Sequence, residues 1–282
     1  MERPQDVIIH PAGSGNATVL VVASGKGGTG TSVSAALLAL AVAGEGRRVL
    51  LVDGTESYGA LHMMLGVTPG HTLAALRDGG VTASDLVIPV DGTLELFPGG
   101  AHEDPETSAL SQGERRLLAS QVRELYDDFD LVVVDAGSRL DAILTACDGG
   151  VTRLMLVSPE DRIAMAAAHA LLRAIDSRMP GLPADLLASR CEEGEATAVH
   201  AHMQSAALRF LQRDLGLAGH IPADPCLQGG LGAGMTLQDA AAGSPAALAA
   251  RTAGLRIIND ARSHGPRLRP LASTIPQLVR HA

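Results

Sequence analysis

Nine residues, Ser24-Gly25-Lys26-Gly27-Gly28-Thr29-Gly30-Thr31-Ser32, have the side chains and the spacing to handle phosphate. Glycines at 25, 27, 28 and 30 permit a tight path on which successive backbone N–H groups turn inward toward an anion. Ser32 sits where a hydroxyl would hold Mg2+. The spacing Gly25-x4-Gly30-x-Ser32 fits the pattern G-x-x-x-x-G-K-[ST] at every position but one, because Thr31 stands where the pattern has lysine. Lys26 is the sole lysine of the chain, and every other strong base is arginine. A compact ammonium and a planar guanidinium differ in bulk and fork geometry, which marks position 26 as one that resists arginine. Asp53 and Asp135, each closing an apolar run, complete a set of oxygens suited to a metal–phosphate site.

Such a loop works only between a strand and a helix, with the phosphate at the positive end of the helix dipole. The flanks supply both. TVLVVA over Thr18–Ala23 is a continuous apolar strand, and the alanine- and leucine-rich run over Thr31–Ala43 is a helix ended by Gly44-Glu45-Gly46. Strands are expected over Arg48–Asp53, Leu94–Phe97, Asp130–Asp135, Leu154–Val157, Asp185–Ala188 and Leu217–Ile221. Between them fall short helices at Ala60–Leu65 and Thr72–Arg77 and longer ones at Glu114–Tyr126 and around Ala196–Leu211. Ser158-Pro159-Glu160-Asp161 has the serine cap, early proline and acids of a helix start. The helix it opens is expected to present Ile163, Ala167, Ala170, Leu171, Ala174 and Ile175 on one face. Strands alternating with helices predict an α/β fold: a doubly wound, mostly parallel sheet with helices on both faces. The domain is placed at residues 18–260, with a leader at 1–17 and a basic tail at 261–282.

Composition narrows the function classes. With no Trp, two Tyr and three Phe the core must be aliphatic, and aromatic platforms for stacking bases are absent. A formal charge of −9 argues against nucleic acid as a partner. Cys147, Cys191 and Cys226 stand far apart without a C-x-x-C pair, which fits a reduced, cytoplasmic setting and offers no metal or redox framework. His200-x-His202 cannot present both rings on one helical face, so a metal site there is not expected. His62, His169 and His220 are expected to be packed or solvated, and Met63-Met64 to be core.

The motifs also resemble a known family. Lys26-Gly27-Gly28-Thr29-Gly30 resembles the deviant Walker A motif K-G-G-x-G-K-[ST] of the MinD/ParA ATPases. VLLVD at Val49–Asp53 is similar to that family's second strand, Asp130–Gly137 to its Walker B strand and switch, and Ser158-Pro159-Glu160 to its T-P-E. GHIPADP at Gly219–Pro225 resembles G-x-I-P-x-D-P beside the adenine pocket. LHMMLG at Leu61–Gly66 and LELFPGG at Leu94–Gly100 resemble stretches of the flagellar-number regulator branch, FlhG. The resemblance implies binding of ATP and Mg2+ by Gly25, Lys26, Gly27, Gly28, Thr29, Gly30, Thr31 and Ser32. Ser32, Asp53 and Asp135 would serve the metal, and Pro222 and Asp224 the base through their backbones. It implies that Lys26 reaches a partner's phosphates in a nucleotide-dependent homodimer, with Lys26, Asp53 and Asp135 as the residues of any catalysis.

The departures bear on turnover. Thr31 replaces the lysine that bridges the β- and γ-phosphates, Thr55 the second acid of D-x-D, and Ala60 the asparagine of the next segment. Arg139 replaces a switch glycine, and Ser189 stands near the expected adenine-reading asparagine. A charge-assisted hydrogen bond is worth about 1.5–3 kcal/mol, so the lost lysine weakens nucleotide binding by about ten- to a hundredfold. Phosphoryl transfer, which depends on positioning and charge, suffers further. Glu56 and Arg139 are the two candidates to compensate. The expectation is a nucleotide-binding regulatory or positioning protein, with a protein partner as in flagellar assembly and with hydrolysis weak or lost. The alternative is an active switch that dimerises with ATP. An iron–sulfur carrier of the same superfamily would need a cysteine pair that is missing. In the tail, Arg262, Arg267, Arg269 and Arg280 occur without an acid, and Leu271, Ile275, Leu278 and Val279 recur at helical spacing. That pattern suggests a membrane-surface segment over 268–280, interrupted by Pro270 and Pro276, and a peripheral location at the inner face of the membrane.

Overall fold

The computed structural model describes residues 17–55, 59–100, 111–147 and 150–263. The leader up to residue 16, Glu56, and the tail from 264, including 268–280, lie outside the described residues.

The strands are β1 (Thr18–Ala23), β2 (Val49–Asp53), β3 (Ile88–Asp91), β4 (Leu94–Phe97), β5 (Leu131–Gly137), β6 (Arg153–Ser158), β7 (Ala184–Ser189) and β8 (Gly216–Ile221). They form one sheet in the order β3-β4-β2-β5-β1-β6-β7-β8. All neighbours pair parallel except β3 with β4, a hairpin that closes one edge. In that hairpin Pro89 sits opposite Glu95, and the register slips between Pro89 and Asp91. The doubly wound, mostly parallel sheet expected from the alternating pattern is therefore what the chain forms. The edge strand β3 is an addition, hidden in the sequence by a proline in its middle.

The helices are α1 (Thr31–Ala43), α2 (Leu61–Met64), α3 (Leu73–Arg77), α4 (Ala83–Leu86), α5 (Gln112–Arg123) and α6 (Leu140–Cys147), followed by α7 (Arg162–Asp176), α8 (Glu193–Leu211), α9 (Pro225–Gly232), α10 (Leu237–Ala241) and α11 (Pro245–Ser263). Side chains alternate across a strand, so each central strand feeds two cores. Val19, Val21, Leu50, Val132, Val134, Leu154 and Leu186 pack with α3 to α8. Leu20, Val22, Leu51, Val133, Met155 and Leu187 pack with α1, α2 and α9 to α11. Both layers are largely aliphatic, with Phe97 and Phe129 buried in one of them and Tyr126 packed against it.

The start of α7 corrects two expectations. Ser158 is the last residue of β6, paired with Ala188, and the helix is capped by Asp161, whose Oδ1 accepts from the Ala164 N–H at 2.6 Å. The buried face is Ala164, Ala168, Leu171, Leu172 and Ile175, and Ile163 is 71% exposed. Alanines at 164, 166, 167, 168 and 170 fit either face, so the periodicity alone left the stripe free to rotate by one residue.

Candidate functional site

The loop leaves β1 at Ala23 and enters α1 at Thr31, at the carboxyl end of the sheet's central strand. There the Ser24 N–H donates to the Gly137 carbonyl at 2.9 Å. Gly28 and Gly30 have φ of +77° and +90°, which side-chain-bearing residues rarely adopt. Gly25 is required for a different reason. A Cβ there would lie 2.1 Å from the Ala167 carbonyl carbon and 2.2 Å from the Ala168 nitrogen, so the loop rests directly on the backbone of α7.

Thr31 is buried and turned into the loop's own structure. The Ser24 hydroxyl donates to the Lys26 carbonyl at 2.9 Å, and the Thr31 hydroxyl donates to Ser24 Oγ at 2.8 Å. Thr29 Oγ1 lies 3.0 Å from Thr31 Oγ1. A hydroxyl carries one proton, and that of Thr31 is already spent on Ser24. The Thr29 proton is shared between two acceptors within reach, Thr31 Oγ1 and the Lys26 carbonyl at 3.4 Å, so all three hydroxyl protons remain inside the loop.

Asp53, the last residue of β2, pairs in register with Asp135, which lies two residues before the end of the adjacent strand β5. Burial pushes the Asp135 carboxyl up to about 6, with the neighbouring Asp53 adding to the rise while the Ser32 hydroxyl and the Gly137 amide pull it back. Ser32, Asp135 and Asp53 thus form a cluster of hard oxygens with the character Mg2+ takes. Burial also raises Asp53, against bonds from the Thr55 N–H at 2.9 Å and the Leu61 N–H at 3.3 Å. Gly59 and Gly99 wall that carboxylate in, since a Cβ at either would come within 2.9 Å of its oxygens. Thr55, at the position of the second acid, thus supplies a backbone donor to Asp53.

On the far side of the loop stand the ends of β7 and β8. The Ser189 hydroxyl donates to the Thr29 carbonyl at 2.8 Å, and Arg190 Nη2 donates to the Gly28 carbonyl at 3.2 Å. Pro222 follows β8 directly and is half-buried. Asp224 caps α9, its Oδ1 accepting from the Leu227 N–H at 3.0 Å, and its Oδ2 accepts from the Ala246 N–H at 3.4 Å. The Leu227 bond leads the amide donors that hold Asp224 below the usual carboxylate range. The loop is thus bonded on one side to β5 through Ser24 and on the other to the end of β7 through Ser189 and Arg190, while Asp224 is held within the α9 and α11 starts. Arg190 was not among the site residues named from the sequence. Its signal was an isolated cation immediately after a strand, at the end where open α/β sheets take ligands.

Lys26 Nζ lies 3.4 Å from Asp161 Oδ1, both side chains less than half exposed after α7 closes against the loop. Its amine faces its own chain's helix start. Arg139 makes a two-pronged bond to Asp141, Nε to Oδ1 at 3.3 Å and Nη2 to Oδ2 at 2.7 Å, and Arg115 joins the same carboxylate at 3.3 Å. Two of the Arg139 donors are thus engaged by Asp141. Other expectations fare unevenly. His62 is buried, but Met63 is 72% exposed, since α2 is only one turn long and turns Leu61 and His62 inward. His200 Nε2 bonds the Leu215 carbonyl at 2.7 Å. Cys147 and Cys191 are buried and Cys226 exposed, all as free thiols. No helix among the described residues is long and apolar enough to cross a membrane.

Comparison with known proteins adds the following. Residues 17–207 match the family described as cellulose biosynthesis protein BcsQ. Over 190 residues the chain is 26% identical to the antiactivator FleN of Pseudomonas aeruginosa, a match that covers 65% of each protein, slightly under two thirds of FleN's length. The cell division ATPase MinD of Pyrococcus furiosus superposes with a TM-score of 0.69 at 24% identity, covering 86% of this chain and 98% of that one. MinD of Pyrococcus horikoshii complexed with Mg-ADP gives 0.69 at 22% identity, covering 86% and 96%. An ATP complex of a McdA variant from Cyanothece gives 0.67 at 19% identity, covering 95% and 100%. At these identities the solved structures establish the fold.

Proposed function

The chain belongs to the BcsQ family within the MinD/ParA group of P-loop NTPases, and on that premise we propose a nucleotide-binding regulatory or positioning protein whose ATP hydrolysis is weak or lost. The observation that carries the second half is the closed hydroxyl chain at Thr29, Thr31 and Ser24. Where a P-loop lysine would place a cation on the β- and γ-phosphates, this loop has a buried hydroxyl whose only proton is used internally. The loop keeps its glycines and Ser32, which supports a seat for phosphate. What it lacks is the charge that distinguishes a triphosphate and stabilises its transfer. Ser32, Asp53 and Asp135 would hold Mg2+, and the metal would neutralise phosphate charge there. Pro222 and Asp224 are proposed to offer their backbones to the base.

The second reading is an active switch that dimerises with ATP, and the intact Ser32–Asp135–Asp53 end of the site favours it. Titration with labelled ATP and Mg2+, followed by a phosphate-release assay, separates the two. Saturable binding with little or no release supports the proposal; steady-state release at about 1 per second or faster under saturating ATP refutes it. FleN is named as an antiactivator, and together with the FlhG-like stretches at Leu61–Gly66 and Leu94–Gly100 that name supports a regulatory role exerted through a protein partner, with flagellar assembly as the setting. The segment 268–280 is proposed to reach the inner face of the membrane. The segment boundaries at 17 and 260 are proposed on the same sequence pattern.

A further inference from the structure

Cations near the loop are mostly matched by acids: Lys26 faces Asp161, and Arg139 faces Asp141. Arg190 differs. Among the described residues no acid lies within ion-pair distance of it, and its side-chain bond goes to the Gly28 carbonyl. Its backbone has a φ of +56°, one of two positive values at non-glycine residues among those described. That conformation is rare for arginine, and here the surroundings impose it. Ser189 pairs with Ile221 across β7 and β8, and the Arg190 N–H then donates to the Ile221 carbonyl at 2.6 Å. The turn delivers an exposed guanidinium to the rim of the phosphate-binding loop, across 162 residues of sequence. Ser189 and Arg190 between them take the carbonyls of Thr29 and Gly28, two consecutive residues of the loop.

A guanidinium has five N–H donors in a planar fork, and the bond to Gly28 uses one of them. The remaining donors match a phosphate oxygen pair in a way that a point charge does not. The nucleotide-binding proposal supplies the ligand, and this inference rests on it. We propose that Arg190 is a phosphate-binding residue of this site, supplying at the loop's rim a cation that position 31 does not. Its target is the diphosphate portion of a nucleotide, which the loop's amides hold.

The test is calorimetric titration of the full chain with Mg-ADP and with Mg-pyrophosphate, for the wild type and for R190Q, R190K and R190G. Glycine suits the positive φ, so R190G removes the side chain without backbone strain and secures the test should R190Q be less stable. R190Q and R190G are expected to bind both ligands about tenfold more weakly, with R190K between them and the wild type. The wild type should also lose more affinity than R190Q when salt is raised. Unchanged affinity in R190Q and R190G overturns the assignment. So does a loss for ADP without one for pyrophosphate, which would place the contact on the base or ribose. A wild-type chain that binds neither ADP nor ATP refutes instead the nucleotide-binding proposal itself.

Discussion

Replacing Thr31 by valine removes one hydroxyl from a buried place and keeps the side chain's shape. Ser24 Oγ then loses the proton it accepts at 2.8 Å, while its own bond to the Lys26 carbonyl survives. Thr29 loses its nearer acceptor at 3.0 Å and can turn to the Lys26 carbonyl, which lies 3.4 Å away. The net change is one good hydrogen bond and one weakened one in a buried setting, a loss of about 1–2 kcal/mol. For a domain of this size that lowers the melting temperature by about 2–8 °C, measurable by circular dichroism. The more telling expectation concerns the ligand. No proton of the chain points out of the loop, so T31V should bind Mg-ATP within about twofold of the wild type. T31K, which restores the absent cation, should bind about tenfold more tightly. A T31V protein that loses ATP affinity while keeping its fold would show that the Thr31 hydroxyl serves the phosphate, and the proton assignment would be wrong. A T31K protein with unchanged affinity would show that the loop does not hold phosphate.

Other expectations follow from the same geometry. Asp135 has an ordinary value of 3.8 and a folded value of about 6, so the folded chain retains a proton that the unfolded chain releases. Its contribution to stability is full below pH 4 and fades as pH rises through 6, which makes metal-free D135N more stable than the wild type above pH 6, by at most about 3 kcal/mol, in urea titrations across pH. Equal pH profiles for the two proteins would refute the assignment. Gly25→Ala forces a Cβ into the α7 backbone and should cost at least about 3 kcal/mol or leave the chain unfolded; a melt like the wild type's would contradict the close approach. Asp161→Ala removes a helix cap and should cost about 1 kcal/mol, whereas Asp161→Asn should keep most of it. Lys26→Ala breaks only a part-exposed pair and should change stability by less than about 0.5 kcal/mol, yet abolish any ATP-induced dimer seen by light scattering. An undiminished dimer would remove Lys26 from that role.

The sequence showed most of what local rules control. The glycine loop, the strands that carry Asp53 and Asp135, and the parallel character of the body follow from patterns of apolar runs and turn residues. What it concealed depends on contacts between distant segments. Nothing in Thr29-Gly30-Thr31 indicates that three hydroxyls close on one another, because Ser24 joins them only when the loop folds back. Ser189 looked like a substitute for a base-reading residue, and its hydroxyl proves to be committed to Thr29, 160 residues away. Arg190 carries only a positional signal, its place just after β7, because a single exposed arginine makes no periodic pattern. Met63 and the face of α7 were misjudged where alanine-rich or very short helices give periodicity little contrast.

The hairpin at the sheet's margin bears on how copies of this chain can meet. An uncovered outer strand normally offers a row of amides and carbonyls on which another sheet can grow. On β3 that row is broken: Pro89 has no N–H to give, the register slips beside it, and Asp91 adds an exposed charge. Polymerisation by strand addition is blocked along this margin. Any assembly of the protein through this part of its surface must use side chains, which leaves its stoichiometry open to control by a ligand.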